Sequence, residues 1–338
     1  MSERIRLGVI GIGLAWEHLH WPPLSQMGDK YEIAAVCNRT VGKAEAFAAS
    51  ISLTPDRVYS DYRQMLKRDD IDAVDVLVPI TENYEVARDA LNAGKHLIAE
   101  KPFASSPEAA KELTALKNQK GLTVLVAENF LYDEDTLIIK NLLDGGSLGG
   151  PVSFTQVCGA DFDNGGNVFL ATGWRRHAAF KGGSLLDGGI HDIAQLRFLF
   201  GGAESLYAAG RIHSKDYCPY DTVGALIRFQ NGVIGQFTYC SARAERTRPP
   251  VGLRIACTGG DIFLESKYCG KVIVTRGGGG EEIHTFTPST GYRGELLNFW
   301  DALKNGQEIV ATPERETGDI EMVYAILRSA EERRAVNL

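Results

Sequence analysis

Three groups of residues in this sequence have the types and spacing to do chemistry. Gly11-Ile12-Gly13-Leu14 follows the apolar run Ile5 to Ile10 and opens a helix-like stretch. In that setting the first glycine permits a tight turn, and the second lets the backbone approach a pyrophosphate at a helix N-terminus. Trp16 stands where a third small residue would let helix and strand pack closely. A plain tight turn is the alternative reading. Lys101, within Glu100-Lys101-Pro102, follows the run His96 to Ala99, at the strand end where open α/β sheets bind ligands. Taken alone, the tripeptide also reads as a loop with a surface ion pair. Asp187 and His191 lie four residues apart on a helix-like stretch that Ser184 can cap, so they share one face. A carboxylate one turn before an imidazole can orient it and favour its protonated form. Histidine titrates near neutrality, as a general base for an alcohol must. The plainer reading is an Asp–His pair that only supports the fold.

The second apolar run ends Val36-Cys37-Asn38-Arg39-Thr40. A site selective for NAD usually places a carboxylate here to bind the ribose 2′-hydroxyl. A carboxylate would repel a 2′-phosphate, whereas a guanidinium binds phosphate well. Asn38, Arg39 and Thr40 therefore point to NADP(H) over NAD(H), the alternative being that Arg39 is a solvated loop residue.

The elements that must position these groups follow from patterning. Residues 1–126 alternate short β-branched runs with helix-like stretches near 41–50, 61–68, 82–93 and 107–120. Such alternation implies a doubly wound parallel sheet with helices on both faces, a Rossmann dinucleotide domain. The first helix is expected to restart at Pro22, where a missing N–H costs nothing. Residues 127–338 read differently, as an α+β domain on a large, mostly antiparallel open sheet for substrate binding and oligomerisation. Eight runs between 152 and 286 read as strands, Asn231-Gly232 marks a hairpin, a helical island spans about 184–200, and two helices close the chain. Those closing helices are free to pack back on the first domain.

Composition sets the outer limits. The 338 residues carry 36 Lys and Arg against 43 Asp and Glu, a net charge of −7, which disfavours nucleic acid or an anionic membrane as the main partner. No apolar run approaches a membrane span, and the N-terminus lacks a signal-peptide pattern. The six cysteines form no C-x-x-C pair, so they read as buried small hydrophobes in a cytoplasmic protein. His18 and His20 crowd the first helix region, but no zinc-like spacing accompanies them, and no metal is expected.

Two blocks carry a resemblance. Ala-Gly-Lys-His at 93–96 leading into Glu100-Lys101-Pro102, and Trp174-Arg175 followed by Gly182 to Asp192, resemble the glucose–fructose oxidoreductase/inositol dehydrogenase/rhizopine-catabolism superfamily over nearly the whole chain. The stretch Thr312 to Ala330 is similar to that family's C-terminal pattern. The resemblance implies an oxidoreductase acting on a hydroxyl or carbonyl of a sugar, polyol or similar small molecule, with its site between the two domains. It implies that Lys101 hydrogen-bonds the reacting oxygen and that His191 takes or returns the hydroxyl proton. Asp187 would bind a neighbouring hydroxyl or align His191, with hydride passing directly to nicotinamide. Glu100 and Pro102 would shape the loop, often with a cis peptide before the proline, and Pro79 would border the cofactor with Gly11 to Leu14. Where the family often has Thr-Pro-Asn-x-x-His, this chain has Val78-Pro79-Ile80-Thr81-Glu82-Asn83, without that Asn and His. Asn129, Tyr132, Arg175 and His177 are candidate substrate contacts, each equally readable as a packing or surface residue. A homodimer or homotetramer through the open sheet is implied. The family also contains non-catalytic nucleotide-binding regulators, and related chains include glycosidases that use NAD transiently. A sensor has no need of Lys101, Asp187 and His191 together.

Overall fold

A computed structural model describes residues 4–159, 168–169, 172–213, 219–241 and 252–338. The chain divides into two compact units, one formed by residues 1–128 and 292–317, the other by 129–291 and 318–338.

The first unit holds a six-stranded parallel sheet: β1 (Ile5–Ile10), β2 (Tyr31–Cys37), β3 (Val58–Tyr59), β4 (Ala73–Val76), β5 (His96–Glu100) and β6 (Val124–Ala127). Their order, 3-2-1-4-5-6, reverses direction between β1 and β4, the arrangement that places ligands at the carboxyl ends of the strands. Burial on both faces explains the near-continuous apolar runs: all four residues of β4 and of β6 are buried. The helices Val41–Ser50, Ile80–Asn92 and Pro107–Lys120 lie where periodicity places them. Ser106 caps the last of these by accepting from Ala109 N at 3.2 Å, and Gly121, at φ +63°, ends it. β3, only two residues long, escapes sequence reading.

The first helix departs from expectation. It does not restart at Pro22; a π-helical turn, Trp16–His20, runs directly into the α-helical residues Trp21–Leu24 through a His20 in helical conformation. Trp16 is wholly buried, stacked on Trp21 at 5.5 Å and edge-on to Phe47 at 5.1 Å. A π turn admits one residue more than an α turn, and this one accommodates an indole at a position usually held by a small side chain.

The second unit holds a nine-stranded sheet: β7 (Pro151–Cys158), β8 (Ala203–Arg211), β9 (Thr222–Phe229), β10 (Ile234–Cys240), β11 (Leu253–Cys257), β12 (Gly260–Leu264), β13 (Lys271–Arg276), β14 (Glu281–Thr285) and β15 (Val336–Asn337). Among the described residues the central β10–β7 pair is parallel and the other pairings are antiparallel. Phe154, Val223, Ile227, Phe237, Ile255 and Val274 alternate onto a buried face. The register places Tyr207 opposite Leu226 and Ile273 opposite Ile283 on the other face. There Tyr207, Leu226, Ile234 and Ile283 remain exposed, Leu226 at 61%.

The described cysteines only partly match the buried small hydrophobes expected. Cys37 is buried, and burial pushes its thiol up to about 12, while Cys158, Cys240, Cys257 and Cys269 are partly exposed; Cys218 lies outside the described residues. No described helix is long and apolar enough to cross a membrane.

Candidate active site

The nucleotide end of the site begins where β1 stops. Gly11 has φ +106°, and a Cβ there would collide with the backbone carbonyl of Leu77, so only glycine fits. Its N–H donates to Cys37 O at 2.9 Å, tying the turn to the end of β2. Gly13 is glycine for another reason. A Cβ at Gly13 would meet no protein atom within 4 Å, so packing does not demand glycine, whereas a backbone closely approached by a ligand does. The first helical bond runs from Glu17 N to Gly13 O at 2.9 Å, so Leu14 and the next N–H groups form a helix N-terminus suited to an anion. These features fit a pyrophosphate.

Asn38 is engaged by the turn itself. Its side-chain oxygen accepts from Ile12 N at 3.0 Å and its amide donates to Thr40 O at 2.9 Å, so it braces the glycine turn. Arg39 points outward, with 85% of its side chain exposed, and pairs with Glu82 Oε1 at 3.2 Å. Thr40 precedes the helix Val41–Ser50 without a side-chain capping bond. Pro79 plays the same positional part for Ile80–Asn92, its carbonyl accepting from Glu82 N at 2.7 Å.

Lys101 follows β5 in a loop held from several directions. The Lys101–Pro102 peptide is cis, as the family pattern implies. Glu100 Oε2 accepts from Lys101 N at 3.0 Å, and Asn83 donates to Glu100 O at 3.2 Å and Pro102 O at 2.9 Å. Asn83 occupies the place where the family often has histidine, and it is 2% exposed. Behind the loop lies His20, whose Nδ1 is 2.9 Å from Asp75 Oδ2 and whose Nε2 is 3.3 Å from Glu100 Oε1. The second contact is ionic rather than an aligned hydrogen bond. Burial opposes a charged imidazole, but the two carboxylates outweigh it and hold His20 well above its ordinary value. Glu295, wholly buried nearby with neither oxygen hydrogen-bonded among the described residues, is pushed well above the carboxylate range by desolvation. Sequence reading missed Asn83, Asp75 and Glu295, and weighed His20 only as a metal ligand.

In the second unit, Asp187 lies within another π-helical turn, Leu185–Gly189, which leads into the helix Ile190–Phe200 carrying His191. Ser184 is not a cap, contrary to expectation. It is already in helical conformation, its hydroxyl lies 3.4 Å from Tyr220 O, and its carbonyl accepts from the Tyr239 hydroxyl at 3.1 Å. That tyrosine ring explains Gly188 and Gly189, because a Cβ on either would press against it. Asp187, 7% exposed, accepts from Arg175 Nε at 2.8 Å. The Arg175 guanidinium also reaches Phe169 O and Thr172 Oγ1, and lies over the Trp174 ring at 4.1 Å. Arg175 therefore supports Asp187 as a bonded neighbour through Nε, while its Nη1 is held by Phe169 O and Thr172 Oγ1.

His191 stacks on Phe130, ring centroids 4.5 Å apart at 20°. Phe130 also has Lys267 Nζ over it at 3.9 Å, and that ammonium is 3.2 Å from Asp135 and 3.4 Å from Asp133. Asn129 and Tyr132, which flank Phe130 and its neighbour Leu131, are both mostly buried, while His177 is exposed after the short helix Gly173–Arg176. The aromatic ring beside the imidazole is thus Phe130, which the sequence did not single out.

Comparison with known proteins supplies the lineage. Residues 5–128 match the model of the oxidoreductase family with an NAD-binding Rossmann fold, and residues 136–263 match the Gfo/Idh/MocA C-terminal domain. The chain belongs to the Gfo/Idh/MocA oxidoreductase family. It is 31% identical over 338 residues to the uncharacterised Saccharomyces cerevisiae protein YMR315W, covering 96% of each. It is 29% identical over 239 residues to a dTDP-3,4-didehydro-2,6-dideoxy-alpha-D-glucose 3-reductase of Actinomadura kijaniata, covering 70% of this chain and 69% of that one. The crystal structure of an oxidoreductase from Thermotoga maritima superposes with a TM-score of 0.88 at 28% identity, covering 99% and 98% of the two chains. This member of the family is accordingly an NAD-binding oxidoreductase with the mixed second sheet of its relatives.

Proposed function

We propose that this oxidoreductase uses NADP(H) to move hydride to or from a hydroxyl or carbonyl carbon of a sugar, polyol or similar small molecule. The observation that carries the reading is Lys101, whose loop is held at the carboxyl end of β5 by Glu100 and Asn83. An ammonium so held can donate to the reacting oxygen and favour its alkoxide form. His191 takes the hydroxyl proton on oxidation and returns it on reduction, its ring plane set by Phe130. Asp187, oriented by Arg175, accepts from a second substrate hydroxyl or aligns His191. The nicotinamide, when bound, supplies or accepts the hydride. The name of the Actinomadura relative, a reductase of a nucleotide-linked deoxysugar, supports a sugar-like substrate.

The preference for NADP(H) rests on Arg39 and on the lack of a carboxylate at the end of β2. The Arg39–Glu82 pair does not stand in the way, because an exposed pair contributes only about 0–1 kcal/mol and is readily exchanged for a phosphate. The exposed apolar face of the second sheet supports a homodimer or homotetramer in which a second copy covers Tyr207, Leu226 and Ile234.

The test is titration of the purified protein with NADPH and NADH, followed by a polyol and sugar screen read at the nicotinamide absorbance. NADPH is expected to bind more tightly than NADH, and Arg39→Ala to remove the difference. A folded sample that binds neither nucleotide overturns the function, and tighter binding of NADH overturns the selectivity. A monomer by light scattering refutes the assembly.

A further inference from the structure

The buried histidine behind the lysine loop has no part in the reaction as proposed. His20 and Asp75 are wholly buried, and they come from separate elements, the π turn after the nucleotide loop and β4. The contacts form one chain: Asp75 Oδ2 to His20 Nδ1 at 2.9 Å, His20 Nε2 to Glu100 Oε1 at 3.3 Å, and Lys101 N–H to Glu100 Oε2 at 3.0 Å. An ionised carboxylate only accepts, and a neutral imidazole has one N–H, so a ring with carboxylates on both nitrogens is satisfied when both carry protons.

We propose that His20 is a positioning residue for Lys101, acting through Glu100. Lys101 owes its assigned role to the proposed function, but the His20–Glu100–Lys101 linkage stands on geometry alone. Each Glu100 oxygen has a neighbour in this chain of contacts. One fixes the Lys101 backbone, and His20 supplies the cation for the other. Without His20, that oxygen loses its buried counter-cation and draws more strongly on the Lys101 ammonium of the neighbouring residue. Asp75 keeps the imidazole in place from the far side, and Glu295 is a further carboxyl group near it. Because His20 sits in the same helical segment that begins at Gly13, the arrangement ties the lysine loop to the segment that starts at the nucleotide turn.

The experiment needs neither substrate nor nucleotide. Reductive methylation of the full chain with 13C-formaldehyde gives each lysine a methyl signal, and Lys101→Arg identifies the one from Lys101. Its pH titration is followed in wild type, His20→Gln, Glu100→Gln and the double variant, with His18→Gln as an exposed control. The expected result is an upward shift of at least half a pH unit in His20→Gln, none in His18→Gln, and none when His20→Gln is added to Glu100→Gln. A titration unmoved by His20→Gln overturns the proposal. So does an equal movement in the Glu100→Gln background, which would report general packing damage. If His20→Gln does not fold, the ring 15N signals of His20 in wild type and Glu100→Gln carry the test. Signals showing both nitrogens protonated and changed by Glu100→Gln support the linkage, and unchanged signals refute it. Failure of the wild type to bind NADPH or NADH is read separately by tryptophan fluorescence. It strikes the proposed function, not this linkage.

Discussion

Substituting each glycine of the nucleotide turn by alanine should separate the two roles that glycine plays there. At Gly11, φ is +106° and a Cβ meets the Leu77 carbonyl, which is backbone and cannot swing aside. A left-handed conformation costs an L-residue about 1–2 kcal/mol, and the steric displacement adds to it, for a total of roughly 2–4 kcal/mol. For a cooperative unit of about 150 residues this corresponds to a fall in Tm of roughly 5–15 °C. Gly13 behaves oppositely. A Cβ there meets nothing within 4 Å and φ is not left-handed, so Gly13→Ala should be neutral or stabilising by up to about 1 kcal/mol. The same methyl would occupy the space a pyrophosphate must approach, and nucleotide binding should weaken at least tenfold, about 1.4 kcal/mol. Differential scanning fluorimetry measures the first effect and NADPH titration by fluorescence quenching the second. A Gly13→Ala protein with wild-type affinity, or one that loses as much stability as Gly11→Ala, would refute the reasoning.

Lys101→Met should leave stability within about 0.5 kcal/mol of wild type, because Lys101 is only partly buried, while turnover falls by at least about 100-fold; retained turnover excludes it from the chemistry. Arg175→Ala strips Asp187 of its bonded guanidinium at a site where the two side chains are 18% and 10% exposed. Urea melts should show a loss of about 1–3 kcal/mol, and a loss under about 0.5 would show that the pair is dispensable. Glu295 offers a pH test. Its folded pKa lies well above the unfolded value near 4.3, so the native state keeps a proton that the unfolded chain releases, and wild-type stability falls as pH rises above about 4.3. Glu295→Gln removes that slope. Its advantage over wild type should grow with pH by up to about 1.4 kcal/mol per unit, and a constant difference from pH 5 to 7 would show that Glu295 is ionised in the native state.

The three groups that stand out for chemistry are each local in the chain. Gly11 and Gly13 lie within one turn, Lys101 follows its strand directly, and Asp187 and His191 are one helical turn apart. The strand and helix pattern was legible for the same reason, since burial of a repeating element imprints its own period on the chain. Side-chain partners drawn from elsewhere were not. Asn38 read as part of the cofactor-facing stretch Asn38-Arg39-Thr40, and its bond to the Ile12 amide left no mark in the sequence; Ser184 read as a cap and instead has Tyr220 and Tyr239 for partners. Pro22 read as a helix start, although a π turn carries the helix through it. Arg175 read as a candidate substrate contact, and its Nε bond to Asp187 left no mark in the sequence.

The chain's own pattern carries the two kinds of sheet and the glycine turn, and it points to a lysine and an Asp–His pair as the groups to test. Tertiary structure alone decided which side chains stand behind them. His20 is 55 residues from Asp75, and Phe130 reaches His191 across a similar stretch of chain. Partners so far apart leave no periodic trace, because periodicity records which face of an element is buried and not what it is buried against. The glycines show both sides of that division within three residues. Gly11 and Gly13 look alike as letters, and only the packed backbone tells that one is forced by Leu77 and the other opens onto space.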